Sequence, residues 1–236
     1  MISQFDFDIV VVGGGHAGCE AALAAARSGA KTLLVTMNAQ RLGAMPCNPS
    51  IGGIAKSHLV FELDALGGEM AINTDMAGLQ FRVLNTRRGA AVQANRAQCD
   101  KYRYSARMGA VVGQTPGLSV LEDEIVGLVF AGDSVRGVHT LKHGEIASRA
   151  VVITAGTFLR GTIHVGHETV PGGGCGQPPA NALADQLRER GMGAARLKTG
   201  TPPRLDPASI DTAAMTRQNG ETPPPHRRSH DGLWLL

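Results

Sequence analysis

No apolar run among the 236 residues approaches the roughly 18 that a membrane-spanning helix needs, which excludes an integral helical membrane protein. The first residues, MISQFDFDIVVVGGG, place acids ahead of the apolar run, the reverse of a signal peptide's layout, so a cytoplasmic protein is expected. There are only 4 cysteines, Cys19, Cys47, Cys99 and Cys175, and none forms a C-x-x-C pair. That spacing argues against a zinc ribbon and against a disulfide framework. Aromatic residues make up 4%, and the net charge is +3, a mild bias that permits an anionic partner without demanding one. What is present is 43% hydrophobic residues, enough for a real core, and 31 glycines, which suit a fold with many close backbone approaches.

The glycines are first concentrated behind a strand. FDIVVV, residues 7–12, is short, apolar and β-branched, as expected of a strand buried on both faces. GGGHAG follows at 13–18, and CEAALAAARSG then reads as a helix closed by Gly29. Gly13, Gly15 and Gly18 thus form G-x-G-x-x-G between a strand and an Ala-rich helix, with a second strand, AKTLLVT, at 30–36. In that context the glycines allow a tight turn, close approach to a diphosphate and close helix–strand packing. The anion would rest on the helix-start amides of Gly14, Gly15, His16, Ala17 and Gly18. The acid usual at the end of the second strand is absent: Thr36, Met37 and Asn38 stand there. A ribose is therefore expected to be held by hydroxyl, amide or backbone groups.

Downstream, SVLEDEIVGLVFAG and SVRGVHTLKHGEIASRA read as a meander with turns at Ala131–Asp133 and Lys142–Glu145. VVITAGTF, 151–158, reads as a buried return strand ending in a Thr–Gly turn. A βαβ nucleotide unit, an antiparallel crossover and such a return strand together resemble the FAD-binding flavoproteins. That resemblance favours FAD over NAD at the first site and puts Ile125 where a meander residue meets adenine by backbone contact. The fold class expected is α/β, a doubly wound parallel-sheet FAD/NAD(P)-binding fold with an antiparallel β-meander crossover, incomplete at its C-terminal side.

GAMPCNPSIGG, residues 43–53, sets Cys47 between Pro46 and Pro49 and then runs into two glycines. From the residues alone, Cys47 is either a packed structural thiol or a thiol bent out for chemistry. Asn48-Pro49 favours an extended entry, and Gly52 and Gly53 permit a tight turn into a helix over IAKSHLVFELDAL that ends at Gly67-Gly68. Lys56, His58 and the amides of that helix start would favour an anion near the loop.

These pieces, with LGAMPCNPSIGGIAKSHLVFELDALGGEM, AGLQFRVLNTRRGAAVQANRAQCDKYRY, VITAGTFLRGTIHVG and RLKTGTPPRLD, resemble the MnmG/GidA family from about Phe5 to Asp206. This is the FAD-dependent tRNA uridine 5-carboxymethylaminomethyl modification enzyme. The resemblance implies alkylation at C5 of the wobble uridine with a one-carbon unit from methylenetetrahydrofolate and an amine. NADH would recharge the FAD, and the enzyme would act with an MnmE-like GTPase partner and as a homodimer. It also implies that Cys47 is one of two functional cysteines, acting at C6 of uracil as nucleophile or as proton donor. Ala180 matches a position at the FAD contact, and Arg87, Arg88, Lys198 and Arg204 lie in the family-like motifs as candidates for tRNA.

Other candidates read more plainly. Cys19 is a small packed position, Cys99 is expected on a helix, and Cys175 lies in a flexible turn in PGGGCGQPP. His16 reads as a packing or backbone-contact residue rather than a general base. Arg82, Arg96, Lys101, Arg103 and Arg107, with Tyr102 and Tyr104 among them, read mostly as a solvated helix face. Gln93 and Ala90 depart from the family's commoner Arg and Pro.

The expected domain plan is a FAD-binding portion over 1–205, the start of an NADH-associated region over 206–225, and an atypical tail, HRRSHDGLWLL, over 226–236. The tail reads as a truncation or frame shift, and the resemblance puts the family's second cysteine outside this chain, so no tRNA modification is expected of it alone. Competing readings are a non-catalytic flavin-binding remnant, a folate-dependent tRNA uracil-C5 methyltransferase-like flavoprotein and a plain flavin dehydrogenase.

Overall fold

A computed structural model of the chain describes residues 6–174, 176–192, 195–200, 203 and 205–224. Cys175, Arg204 and the tail at 226–236, all singled out in the sequence, lie outside the described residues.

The chain opens with β1 (Phe7–Val12), α1 (His16–Arg27) and β2 (Thr32–Thr36). It continues through β3 (Ser50–Gly52), α2 (Lys56–Ala65), α3 (Met70–Ala77), β4 (Gly78–Leu84), β5 (Ala94–Cys99) and α4 (Lys101–Gln114). Then come β6 (Leu118–Glu122), β7 (Ile125–Ala131), β8 (Ser134–Thr140), β9 (Gly144–Ile153), the hairpin β10 (Thr162–Val165) and β11 (Glu168–Pro171), and α5 (Asn181–Glu189). The main sheet has the order β6-β2-β1-β9-β8-β7, with β6, β2, β1 and β9 parallel and β7, β8 and β9 antiparallel.

β1 is apolar throughout because it divides two cores. Val11 packs with Leu34 and with Cys19, Ala22 and Leu23 of α1, beside Tyr104, Met108 and Val112 of α4. Val10 and Val12 face the opposite side, with Leu33, Val35, Ile125, Leu128, Val138 and Leu183. Each fully buried Val or Leu contributes on the order of 1.5–3 kcal/mol. Helix α1 stops as expected: Ser28 N–H returns to Ala24 O, and Gly29 turns the chain at φ +89.

The meander differs from the sequence reading in two ways. SVLEDEIVGLVFAG is not one strand: β6 belongs to the parallel sheet and β7 to the meander, with the buried Asp123 at the corner between them. Nor is the return strand separate. β9 pairs antiparallel with β8 through Gly144–Ala147 and parallel with β1 through Ser148–Ile153, so a single strand serves both parts.

A second, antiparallel sheet, β3-β5-β4, lies between β2 and α4 in the chain and carries α2 and α3. It accounts for a second correction. Cys99 ends β5 and is buried; the helix begins only after Asp100, whose carboxylate caps Tyr102 and Arg103 amides. The basic stretch is therefore not one helix face. Arg82 stands on β4, Arg96 on β5, and Tyr104 is fully buried in the core. Arg107 donates to Glu69 Oε1 at 2.8 Å and to Asn73 Oδ1 at 3.1 Å, which makes it part of the scaffold. Glu69 also takes Arg27 at 2.6 Å, and its amide is held by the Glu20 carboxylate, which burial raises in pKa. This partly buried group ties α1, α3 and α4 together.

Over 206–224 the chain makes two 3-10 turns, each capped by an Asp, and then lies along β4. Glu221 N–H donates to Phe81 O at 2.9 Å, and Gln80 Nε2 donates to Gln218 O at 2.9 Å, so the edge of β4 is paired.

Candidate functional site

The turn between β1 and α1 is fixed from every side. Gly13 N–H donates to Val35 O at 2.8 Å, and Thr154 Oγ1, just past β9, donates towards Val12 O and Gly13 O at 2.8 and 3.1 Å. The glycines are steric requirements. A Cβ on Gly18 would stand 1.7 Å from Gly13 O, and one on Gly13, already at φ +106, 2.6 Å from Thr154 O. A Cβ on Gly14 would meet Leu42 Cδ2 at 2.6 Å and Thr36 Oγ1 at 2.8 Å. Gly15 is the exception: it is exposed, and nothing lies within 4 Å of its Cβ position.

Gly15 is the N-cap of α1 and brings no side chain to the first-turn amides of His16, Ala17 and Gly18. Those donors have no intrahelical acceptor and carry the positive end of the helix dipole. Open space over Gly15 beside uncapped amides suits the diphosphate of a dinucleotide. Asp123 N–H donates to Thr36 O at 3.0 Å, which brings the start of β7, with Ile125, against the end of β2. Ala180 is buried, and its amide donates to Phe158 O at 2.8 Å. Thus Ile125 and Ala180 flank strands that end at the same edge as the turn.

His16 behaves as a packing residue: its ring stands edge-on to Tyr104 with centroids 5.5 Å apart. Its Nδ1 is buried with no hydrogen-bond partner, and burial lowers its pKa. Cys19 is buried, donates to Gly14 O at 3.5 Å, and is pushed by burial to about 12. Cys99 is likewise raised, to about 11. Neither is a reactive thiol.

Cys47 is different: it is exposed. Its loop is pinned at both ends. At the front, Gly43 N–H donates to Gly14 O at 2.9 Å, Leu42 covers Gly14, and Ser105 Oγ donates to Leu42 O at 2.8 Å. Gly43 sits at φ +61 against Met108, and Met45 is buried. At the back, Cys99 N–H donates to Pro49 O at 2.7 Å and β3 joins the second sheet. Between these anchors Pro46, Cys47 and Asn48 project into solvent. The cysteine loop is thus hydrogen-bonded directly to the glycine turn, a link that Gly43 hinted at only by its place in the loop motif.

The expected anion-favouring start of α2 is corrected. Gly53 O accepts from both Lys56 and Ser57 N–H, so these amides are already used; Lys56 and His58 are exposed. Arg96, not ranked among the candidates, donates from Nη2 to Ser50 Oγ at 3.3 Å and so reaches the cysteine loop. Arg87 and Arg88 are exposed on the β4–β5 connection, where Arg88 N–H donates to Asn85 O. Lys198 is exposed on the coil after α5. Two spaces lie away from the turn: a cavity of about 30 Å³ between Ile51, Val60 and Ala71, and a groove of about 330 Å³ beside Val126, His139 and Gln186. Among the described residues no group of His, Cys, Asp and Glu is placed to hold a metal ion, and no helix is long and apolar enough to cross a membrane.

Residues 8–231 match the family described as glucose inhibited division protein A. The chain is 51% identical over 224 residues to the tRNA uridine 5-carboxymethylaminomethyl modification enzyme MnmG of Pelobacter propionicus, covering 95% of this chain and 36% of that protein. It is 53% identical over 218 residues to the MnmG of Geobacter metallireducens, covering 92% and 35%. The structure of Aquifex aeolicus GidA superposes with a TM-score of 0.88 at 48% identity, covering 96% of this chain and 38% of that one. A GidA-related protein from Thermus thermophilus, at 18% identity and a TM-score of 0.57, shares the fold, with 78% of this chain and 68% of that one covered. The chain therefore spans little more than a third of the length of the curated relatives it matches.

Proposed function

This chain belongs to the glucose inhibited division protein A family, and from that premise we propose that it is the FAD-holding, cysteine-presenting part of a tRNA wobble-uridine C5 modification enzyme. The observation that carries the reading is the Gly43–Gly14 hydrogen bond of 2.9 Å, which joins an exposed thiol loop to an uncapped glycine turn. The turn would hold the FAD diphosphate on the amides of His16, Ala17 and Gly18, with Gly13, Gly14 and Gly15 leaving it room. Ile125 would offer backbone to the adenine, and Ala180 would line the cofactor's path. FAD bound there would supply the hydride chemistry of the reaction.

The protein's own work is to bring the uracil ring to Cys47. Addition of its sulfur at C6 makes C5 an enolate-type carbon that can attack a one-carbon electrophile; alternatively the thiol returns a proton to the ring. A covalent complex with 5-fluorouridine tRNA separates the two roles. Arg87, Arg88, Lys198 and Arg204 are assigned to tRNA phosphates, and Arg96 to the anion nearest the thiol loop. Methylenetetrahydrofolate, NADH, an MnmE-like GTPase and a homodimeric assembly belong to the same reading, with residues 206–225 beginning the NADH-associated region.

FAD titration of the purified chain tests it. The chain should quench FAD fluorescence, and Gly18→Ala should abolish the quench, because its Cβ lies 1.7 Å from Gly13 O. In a Cys175→Ser background Cys47 should be the fast-reacting thiol, since Cys19 and Cys99 are buried. Absence of FAD binding, or equal binding by Gly18→Ala, overturns the reading.

A further inference from the structure

The end of β2 carries no acid to hold a ribose, but the fold brings one from the neighbouring strand. β6 runs parallel to β2 with Thr36 paired to Glu122, so the two side chains leave the same face of the sheet, one strand spacing (~4.8 Å) apart. That face is the ligand side. Thr36 Oγ1 lies 2.8 Å from where a Cβ on Gly14 would stand, so Thr36 occupies the acid's usual place and is too short for its task. Glu122 is longer, and it reaches back across the end of β2: its Oε2 accepts from Ala39 N–H at 2.8 Å. It is exposed, at the carboxyl end of a parallel strand, where nucleotides bind in sheets of this kind.

The adjacent acid is not available for the same task. The Asp123 side chain is buried and already accepts from Glu124 and Lys142 amides, with His143 Nδ1 at 2.7 Å. Burial alone would raise its pKa, but these hydrogen bonds outweigh that and hold it low. Asp123 fixes the corner; Glu122, next to it, is left facing the crevice with one oxygen anchored.

We propose that Glu122 supplies the ribose-holding carboxylate that β2 lacks: Oε2 is oriented by the Ala39 amide, and Oε1 accepts from the adenosine ribose hydroxyls of the dinucleotide on the glycine turn. This rests on the reading of that turn as a dinucleotide site. Glu122 is then a specificity residue as well, since its charge admits a ribose with both hydroxyls and repels one bearing a 2′-phosphate.

Binding of ADP, 2′-deoxy-ADP, 3′-deoxy-ADP and 2′-phospho-ADP to the purified chain, measured by calorimetry, tests the proposal. A hydrogen bond to a charged acceptor corresponds to about tenfold or more in affinity, so ADP should bind at least about tenfold more tightly than one of the deoxy forms. Glu122→Gln keeps an acceptor for Ala39 but loses the carboxylate; it should bring ADP and the deoxy forms close together and relieve the discrimination against the 2′-phosphate. Equal binding of all forms by the unmodified chain overturns the proposal while leaving the dinucleotide site standing. So does a Glu122→Gln chain with lowered Tm and unchanged discrimination, which marks a purely structural side chain. If neither ADP nor FAD binds, the reading of the turn falls and this proposal with it.

Discussion

Two alanine substitutions, one on each side of the Gly14–Gly43 contact, separate what the turn needs to fold from what it needs to bind. Gly43 has φ +61, a conformation that costs a residue with a Cβ about 1–2 kcal/mol. Its added Cβ would stand 2.9 Å from Met108 Cγ and 3.5 Å from Tyr104 Cε1. Both side chains are fully buried, so relief requires repacking at a cost of about 1–3 kcal/mol. Gly43→Ala should therefore lose about 3 kcal/mol, which for a chain of this length is a fall in Tm of about 6–12 °C. Gly15 has φ −74 and no atom within 4 Å of its Cβ position. Gly15→Ala exchanges a better N-cap for a stiffer unfolded chain, two effects of a few tenths of a kcal/mol that offset each other. Its Tm should stay within about 2 °C, yet its methyl group fills the space where the diphosphate would rest. Circular dichroism melts and FAD titrations of the two variants give the four numbers required. A Gly43→Ala chain that melts with the parent would show that the loop is not anchored as described. A Gly15→Ala chain that binds FAD as the parent does would show that the open space is not the anion site.

Thr154→Val keeps the shape of the side chain and removes the hydroxyl that donates to Val12 O and Gly13 O. It should cost about 1 kcal/mol, seen as a Tm drop of about 2–4 °C, with weaker FAD binding; unchanged FAD affinity would separate Thr154 from the turn. His16 is held neutral by burial, so its folded pKa is lowered. Between about 6.5 and that lower value the unfolded chain takes up a proton that the folded chain refuses, so stability of the nucleotide-free chain falls as pH drops through this window and levels off below it. Denaturant midpoints measured across that range should show His16→Gln losing a slope of at most about 1.4 kcal/mol per pH unit; an unchanged slope would mean that His16 titrates as it does in water.

The first strand, the glycine turn, α1 and β2 were legible because each is specified by neighbours in the chain: an apolar β-branched run, a glycine at each steric conflict, an Ala-rich face and a glycine stop. The exposure of Cys47 was not legible from its loop alone, since two prolines and two glycines suit a packed thiol as well as a presented one; the structure decides for exposure. The reading failed where the partner is distant. ANRAQC buries Ala94, Ala97 and Cys99, a spacing that does not alternate cleanly; its strand character depends on β4 and β3 supplying ladders, and the helix expected at Cys99 starts later because the Asp100 cap sets the boundary. Likewise the division of β6 from β7, and the use of β9 by two sets of strands, follow from which strands pair. Composition along one segment does not encode that.

What the sequence by itself determined is a strand, a glycine turn and a helix, with a proline-kinked cysteine loop after them, because glycine and proline act on the backbone within a few residues. Only the tertiary structure decided that the turn and the loop lie together and that Cys47 is exposed. Gly43 meets Gly14, and Glu122 meets the end of β2, through contacts between residues 29 and 86 positions apart in the chain. Hydrogen bonds and sheet register act through space, and they can join only what the folded core has already brought together.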